Sequence, residues 1–160
     1  MVRSMSREKT NQISLDNFWP YQVVVLADKI SRNTHRVVKE KAALNLSQWR
    51  VLAAVADKPG RSAAEVTSVT PMDKTIVSRA VASLIETGLI KKSQISNDKR
   101  RLSLTITETG LRIYEDISDE LNRTLIHTPN ENVIPSDFVK TLKTYSAYLE
   151  RIERLGKTSD

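Results

Sequence analysis

Two groups of side chains have the types and spacing to do chemistry, and in both that chemistry is the holding of a polyanion. Between Thr70 and Thr87 a helical repeat places Val77, Val81, Leu84 and Ile85 on one side, at i, i+4, i+7 and i+8. Lys74, Thr75, Ser78, Arg79 and Ala82 fall on the other. Small residues there permit close approach, and the Lys, Arg, Thr and Ser donors suit phosphates and base edges. A helix that only faced water would more often carry Glu–Lys pairs. The second group is the stretch 96–101, where Lys99, Arg100 and Arg101 crowd behind Asp98. An ordinary charged hairpin turn has the same composition.

Little else in the chain has chemical potential. It has no cysteine, which excludes disulfides, thiolate metal sites and thiol redox sensing. Its four glycines, Gly60, Gly88, Gly110 and Gly156, stand far apart, so no phosphate-cradling glycine loop can form. Asp116, Asp119 and Glu120 lie on one solvated helix face, and no Ser-His-Asp motif occurs. No enzyme, cofactor or metal site is expected.

The 160 residues include 25 Lys/Arg and 19 Asp/Glu, a net charge of +6 that favours an anionic partner. The excess is uneven. Residues 61–101 carry eight basic and four acidic side chains, whereas 102–160 carry seven and ten. No apolar run approaches the roughly 20 residues that span a bilayer, and the first fifteen residues lack the apolar core of a secretion signal. A cytoplasmic protein without a membrane partner is the expectation.

The elements that must position these groups follow from local signals. Residues 1–15 read as a flexible basic tail. A long helix is expected from Asp16 to Leu44, with Val23, Ala27, Ile30, Thr34, Val37 and Lys41 on one stripe and Asn45 as its stop. Ser47 is expected to cap a second helix, broken at Pro59-Gly60. Ser62-Ala63-Ala64-Glu65 has capping-box spacing. Thr70 and Pro71 are expected to open the fourth helix, which closes at Gly88. Residues 89–95 and 101–106 read as two strands joined by a basic turn. Thr107 caps a further helix, 129–135 is a loop, and Ser136 starts a last helix with Phe138, Leu142, Tyr145, Leu149 and Ile152 on one stripe. The predicted fold is mainly α with a small β-hairpin wing. It is a winged helix-turn-helix lobe over 46–106, flanked by long helices over 16–45 and 107–156 and a short tail at 157–160.

The run from Asp73-Lys74-Thr75-Ile76-Val77-Ser78-Arg79 through Leu84-Ile85-Glu86-Thr87-Gly88-Leu89-Ile90 resembles the MarR family of bacterial transcription regulators. So do Asn97-Asp98-Lys99-Arg100-Arg101-Leu102-Ser103-Leu104-Thr105-Ile106-Thr107, Gly110, and Leu46-Ser47-Gln48-Trp49-Arg50-Val51-Leu52 upstream. The likeness covers about residues 18–155. One departure is the doubled threonine, Thr105-Ile106-Thr107, of which Thr107 is given the family position.

The resemblance implies a homodimer on double-stranded DNA, with the 71–87 helix of each copy in a half-site of a palindromic operator. It is expected to act as a repressor. It places the wing in the minor groove, with Arg100 inserted and Asp98 orienting it, and adds phosphate contacts from Arg61, Ser62, Lys91 and Lys92. A narrow minor groove attracts arginine for electrostatic reasons. Apolar stripes on both flanking helices exceed what the small lobe could cover, which supports a dimer independently of the resemblance.

The resemblance further implies a small effector, an aromatic acid or aromatic acyl-CoA, with Phe18, Trp19, Tyr21, Arg32, His35 and Arg36 as lining residues. Trp49 is assigned to core packing instead, and His35 equally suits an ordinary exposed helix position. Thiol sensing is set aside for want of cysteine, and zinc sensing because His35 and His127 are too few and lie on different helices. The alternative from another class is a winged-helix module that binds protein or RNA without effector control.

Overall fold

The computed structural model describes residues 13–95, 98–126 and 137–156, and the side chains of 94–101 fall outside the described set. In chain order it comprises α1 (Trp19–Ala42), α2 (Leu46–Asp57), α3 (Ala63–Val69), α4 (Lys74–Glu86), β1 (Ile90–Ile95), β2 (Asp98–Ile106), α5 (Glu108–Leu121), a π-helical turn (Asn122–Ile126) and α6 (Phe138–Gly156). This is the mainly helical fold with one antiparallel hairpin that the sequence predicts. The chain divides into two units, 1–121 and 122–160. Among the described residues no helix is long and apolar enough to cross a membrane.

Several helix ends differ from the sequence expectation, each for a capping reason. α1 begins at Trp19, not Asp16, because Pro20 takes the first turn, where its missing N–H costs nothing. It ends one residue before Ala43, which adopts the left-handed conformation (φ 53°) and donates its N–H to the Lys39 carbonyl. Asn45, not Ser47, caps α2. Its side chain accepts from the Gln48 N–H at 2.9 Å, and the Gln48 side chain accepts from the Asn45 N–H at 2.8 Å. α4 begins at Lys74, because the Asp73 carboxylate accepts from the Ile76 N–H at 2.8 Å and stops the helix from reaching back to Pro71. Thr70, the expected cap, instead closes α3, with the extended backbone that a following proline imposes.

The core of the first unit is one cluster. Val37, Val38 and Leu44 meet Val51, Leu52 and Val55 of α2, Val66 of α3, Val77, Val81 and Leu84 of α4, Ile90 and Leu104 of the hairpin, and Ile117 of α5. Burial of each such aliphatic side chain is worth roughly 1.5–3 kcal/mol. The Trp49 ring stacks on Tyr114 of α5 with centroids 5.7 Å apart, as core packing requires.

The wing is anchored at its base. Ile90 pairs with Ile106 and Gln94 with Leu102, and the register shifts after Gln94. The connection between α2 and α3 adds to it: the Gly60 N–H donates to the Leu104 carbonyl at 2.9 Å, and the Leu104 N–H to the Arg61 carbonyl at 2.8 Å. The Ser93 and Ser103 hydroxyls lie 2.8 Å apart across the ladder.

α4 stops in a two-bond cap around Gly88 (φ +71°). The Gly88 N–H donates to the Ile85 carbonyl and the Leu89 N–H to the Leu84 carbonyl. Thr107 then stitches this corner to α5. Its hydroxyl donates to the Gly88 carbonyl at 2.7 Å and accepts from the Gly110 N–H at 3.0 Å.

In both flanking helices much apolar surface stays exposed. Only Val37 and Val38 of α1 are buried, whereas Trp19, Tyr21, Val24, Leu26 and Ile30 are exposed. In the second unit, α6 exposes Val139, Leu142, Tyr145, Tyr148, Leu149, Ile152 and Leu155. The expected loop 129–135 and the Ser136 cap lie outside the described residues.

Gly110 faces the Leu89 carbonyl so closely that an added Cβ would overlap that oxygen and stand 2.9 Å from Cγ1 of Ile106. Gly110→Ala is therefore expected to destabilise the fold by at least roughly 1–3 kcal/mol. Urea denaturation at fixed protein concentration checks this, with a lowered midpoint expected.

Candidate nucleic-acid interface

The sequence of α4 separates a packed side from a free one. Val77, Ala80, Val81 and Leu84 are buried, and Lys74, Thr75, Ser78, Arg79 and Ala82 are exposed. Among the described residues the side chains of Lys74, Thr75, Ser78 and Arg79 have no ion-pair or hydrogen-bond partner. Elsewhere the chain behaves differently. The hydroxyls of Thr34, Thr67 and Thr144 donate to the carbonyl four residues back, at 2.9, 2.9 and 3.0 Å, which Ser78 does not do. Arg32 pairs with Asp28 at 2.6 Å, Arg36 with Glu40 at 2.9 Å, and Lys41 with Asp116 at 3.1 Å. The cations of α4 carry no such internal partner and are open to an external anion.

α4 is also held from behind. The Gln48 amide that closes the α2 cap donates its Nε2 hydrogen to Ser83 Oγ at 2.8 Å. One side chain thus ties the first turn of α2 to the third turn of α4. Beside it lies an open recess of about 380 Å³ lined by Asn45, Ser47, Gln48, Ile76, Arg79, Ala80 and Ser83. On the other flank Ala63, Ala64 and Thr67 of α3 border a second recess with Lys74, Val77 and Ser78.

Two expected phosphate contacts are engaged internally. The Arg61 side chain is only 14 % exposed; it pairs with Asp57 at 2.8 Å and donates to the Ala54 carbonyl. The Ser62 hydroxyl caps α3 and donates to the Glu65 carboxylate at 2.8 Å. Both side chains brace the α2–α3 corner through these bonds. Lys91 and Lys92 are exposed on β1. Asp98, Lys99, Arg100 and Arg101 have their backbone in β2, and their side chains lie outside the described residues, as do residues 96 and 97 altogether.

A helix pair with a free cationic face and a hairpin directly behind it is the arrangement seen in known regulators. A model of the MarR family matches residues 44–101, the span from the end of α1 to the wing. Over that span the chain is similar to the MarR family. It is 25 % identical over 118 residues to the HTH-type transcriptional regulator FarR of Neisseria gonorrhoeae, covering 74 % of this chain and 80 % of FarR. Its fold is similar to that of CouR from Rhodococcus jostii RHA1 bound to p-coumaroyl-CoA, with a TM-score of 0.74 at 16 % identity, covering 86 % of this chain and 95 % of CouR. It is also similar to Staphylococcus aureus MarR in complex with salicylate and kanamycin, with a TM-score of 0.67 at 20 % identity, covering 86 % and 91 %. The sequence matches are thus to transcription regulators, and the solved structures share the winged-helix fold of this chain.

The expected effector residues do not converge within one copy. Phe18, Trp19 and Tyr21 are exposed at the start of α1. Arg32, His35 and Arg36 are exposed further along, with both arginines in ion pairs on their own helix. Tyr21 and Arg32 are eleven positions apart, roughly 16 Å of helix.

Sequence reasoning missed Asp73 as the cap, the Gln48–Ser83 strap and the exposed Ile76. The first was legible, since Asp three residues before Ile76 fits an N-cap as well as Thr70 does. The strap joins residues 35 apart and leaves no local signal. Gln48→Leu strands the Asn45 N–H and removes the bond to Ser83, so a loss of about 1–3 kcal/mol is expected. Ser83→Ala should cost less, and chemical denaturation of the two variants beside the parent measures both.

Proposed function

We propose that the chain acts as a homodimeric repressor that sets α4 of each copy into the major groove of a palindromic operator and is released by a small aromatic effector. The observation that carries this reading is the exposed face of α4, where Lys74, Thr75, Ser78 and Arg79 have no internal partner among the described residues, with the hairpin following it. Lys74, Thr75, Ser78 and Arg79 then make the base and phosphate contacts. Arg100, with Asp98 beside it in sequence and Lys99 and Arg101 adjoining, enters the minor groove. The exposed apolar faces of α1 and α6 support a second copy as their cover, because contiguous apolar surface of that extent marks an interface. Twofold symmetry would place the recognition helices about one DNA turn apart, roughly 34–36 Å.

The aromatic residues at the start of α1 support an aromatic ligand; of the three ligands named for CouR and the staphylococcal protein, p-coumaroyl-CoA is an aromatic acyl thioester and salicylate an aromatic acid, whereas kanamycin is neither. The roughly 16 Å between Tyr21 and Arg32 favours the thioester class. A salicylate-sized acid reaches one end only, whereas an acyl-CoA is long enough to touch both. The ligand must bind the DNA-free arrangement more tightly, since only differential affinity shifts the equilibrium.

Duplex selection with the purified chain, followed by fluorescence anisotropy, tests the DNA reading. Arg100→Ala and Arg79→Ala should each weaken operator binding by roughly 1–3 kcal/mol, and log affinity should fall steeply and linearly with log salt. A flat salt response, or a chain that keeps a mass of 18.1 kDa at high concentration, would overturn it. A panel of aromatic acids and their coenzyme A thioesters added to the preformed complex tests the effector. The thioesters are expected to release DNA at lower concentration than the free acids.

A further inference from the structure

Most large apolar side chains exposed in this fold lie on α1 and α6, where a second copy would cover them. Ile76 does not. It is 39 % exposed on α4, the helix proposed to enter the groove. At about 100° per residue, Thr75, Arg79 and Ala82 mark the middle of the outward face, with Ile76 and Ser78 on its two shoulders. Ile76 flanks Arg79 and borders the recess against Asn45, Ser47 and Gln48. Its backbone is fixed, because its N–H is the donor held by the Asp73 carboxylate at 2.8 Å. Its side chain is stiff as well, since β-branching in a helix leaves one strongly preferred rotamer.

A rigid apolar group without a donor or acceptor can recognise one feature of the major groove. Guanine, cytosine and adenine present hydrogen-bonding groups and ring C–H there, and thymine alone adds a methyl group, at C5. We propose that Ile76 is a specificity-determining residue that packs against the 5-methyl group of one thymine in each half-site. The inference rests on the reading of α4 as the groove-entering helix and adds to it the base that this shoulder selects. Ile76 contributes preference and not charge, so its removal should leave the salt dependence of binding as it was.

The test uses the operator duplex recovered by selection. Each thymine is replaced in turn by deoxyuridine, which lacks only the methyl group and keeps its pairing. Parent protein is expected to lose roughly fourfold in affinity at one position per half-site, the worth of one buried methyl. Ile76→Ala should bind the parent operator more weakly and show no further loss on deoxyuridine at that position. Ile76→Val, which keeps the branched methyl groups, should retain most of the sensitivity. Thermal denaturation confirms that both variants fold, as substitution at an exposed site predicts. The assignment is overturned if no thymine is sensitive in the parent, or if Ile76→Ala keeps the same deoxyuridine profile. A uniform loss on both duplexes, with the sensitivity intact, would likewise reduce Ile76 to support of the helix. A parent protein that selects no duplex would overturn the underlying DNA reading, a result distinct from all of these.

Discussion

The contact between the α5 N-terminus and the Leu89 backbone is the constraint on which the geometry of the lobe depends. α4, the hairpin and α5 all meet at this corner. The Gly88 and Leu89 amides close α4, and the Leu89 carbonyl accepts from the Thr107 N–H at 3.0 Å as the chain leaves β2. Thr107 then caps α5 while its hydroxyl donates back to Gly88. Only a residue without Cβ fits at 110. One corner thus fixes where α4 ends, where the wing begins and where the following helix departs. The base of the wing is thus pinned both here and at Gly60–Arg61.

Charge placement is the second level of organisation. A surface ion pair contributes little to stability, typically 0.2–1 kcal/mol. What such pairs do here is consume cations. Arg32, Arg36, Lys41 and Arg61 are each matched by an acid, three of them within four residues on the same helix or turn. The unpaired cations of α4 therefore dominate the field over its outward face. The net charge of +6 says only that an anion is favoured. The pairing pattern adds that Arg61 is engaged internally whereas Lys74 is not, a difference that sequence alone could not show.

Much of the fold was legible because its signals are local. The α4 stripe, the glycine stop at 88, the capping box at Ser62 and the alternation of β2 each need fewer than a dozen residues. The errors fell where two local signals competed. Thr70-Pro71 and Asp73 both offer a start for α4, and Asn45 and Ser47 both offer a cap for α2. The reciprocal bond of Asn45 with Gln48, and the carboxylate of Asp73 on Ile76, decided these in the folded chain. The engagement of Arg61 with a carbonyl of α2 was not legible, because burial of a guanidinium is a tertiary event. The same holds for Gln48, whose sequence neighbours explain its role in the cap and nothing of its reach to α4.

That reach bears on how a signal could pass through the molecule. α1 does not run loosely into α2. Ala43 turns in a single left-handed residue, Leu44 is buried, and Asn45 already caps the next helix. The corner has no slack to absorb displacement, and Gln48 passes from it directly to Ser83. Lys41 and Asp116 add a brace from α1 to α5. On the proposed dimer, a change in how two copies of α1 lie against each other therefore moves each lobe as a body, with α4 carried along, and does not bend it locally. An effector on α1 would need only to favour one arrangement of the pair. Packed elements joined by short connections convert a small preference there into a change of spacing between the two reading helices.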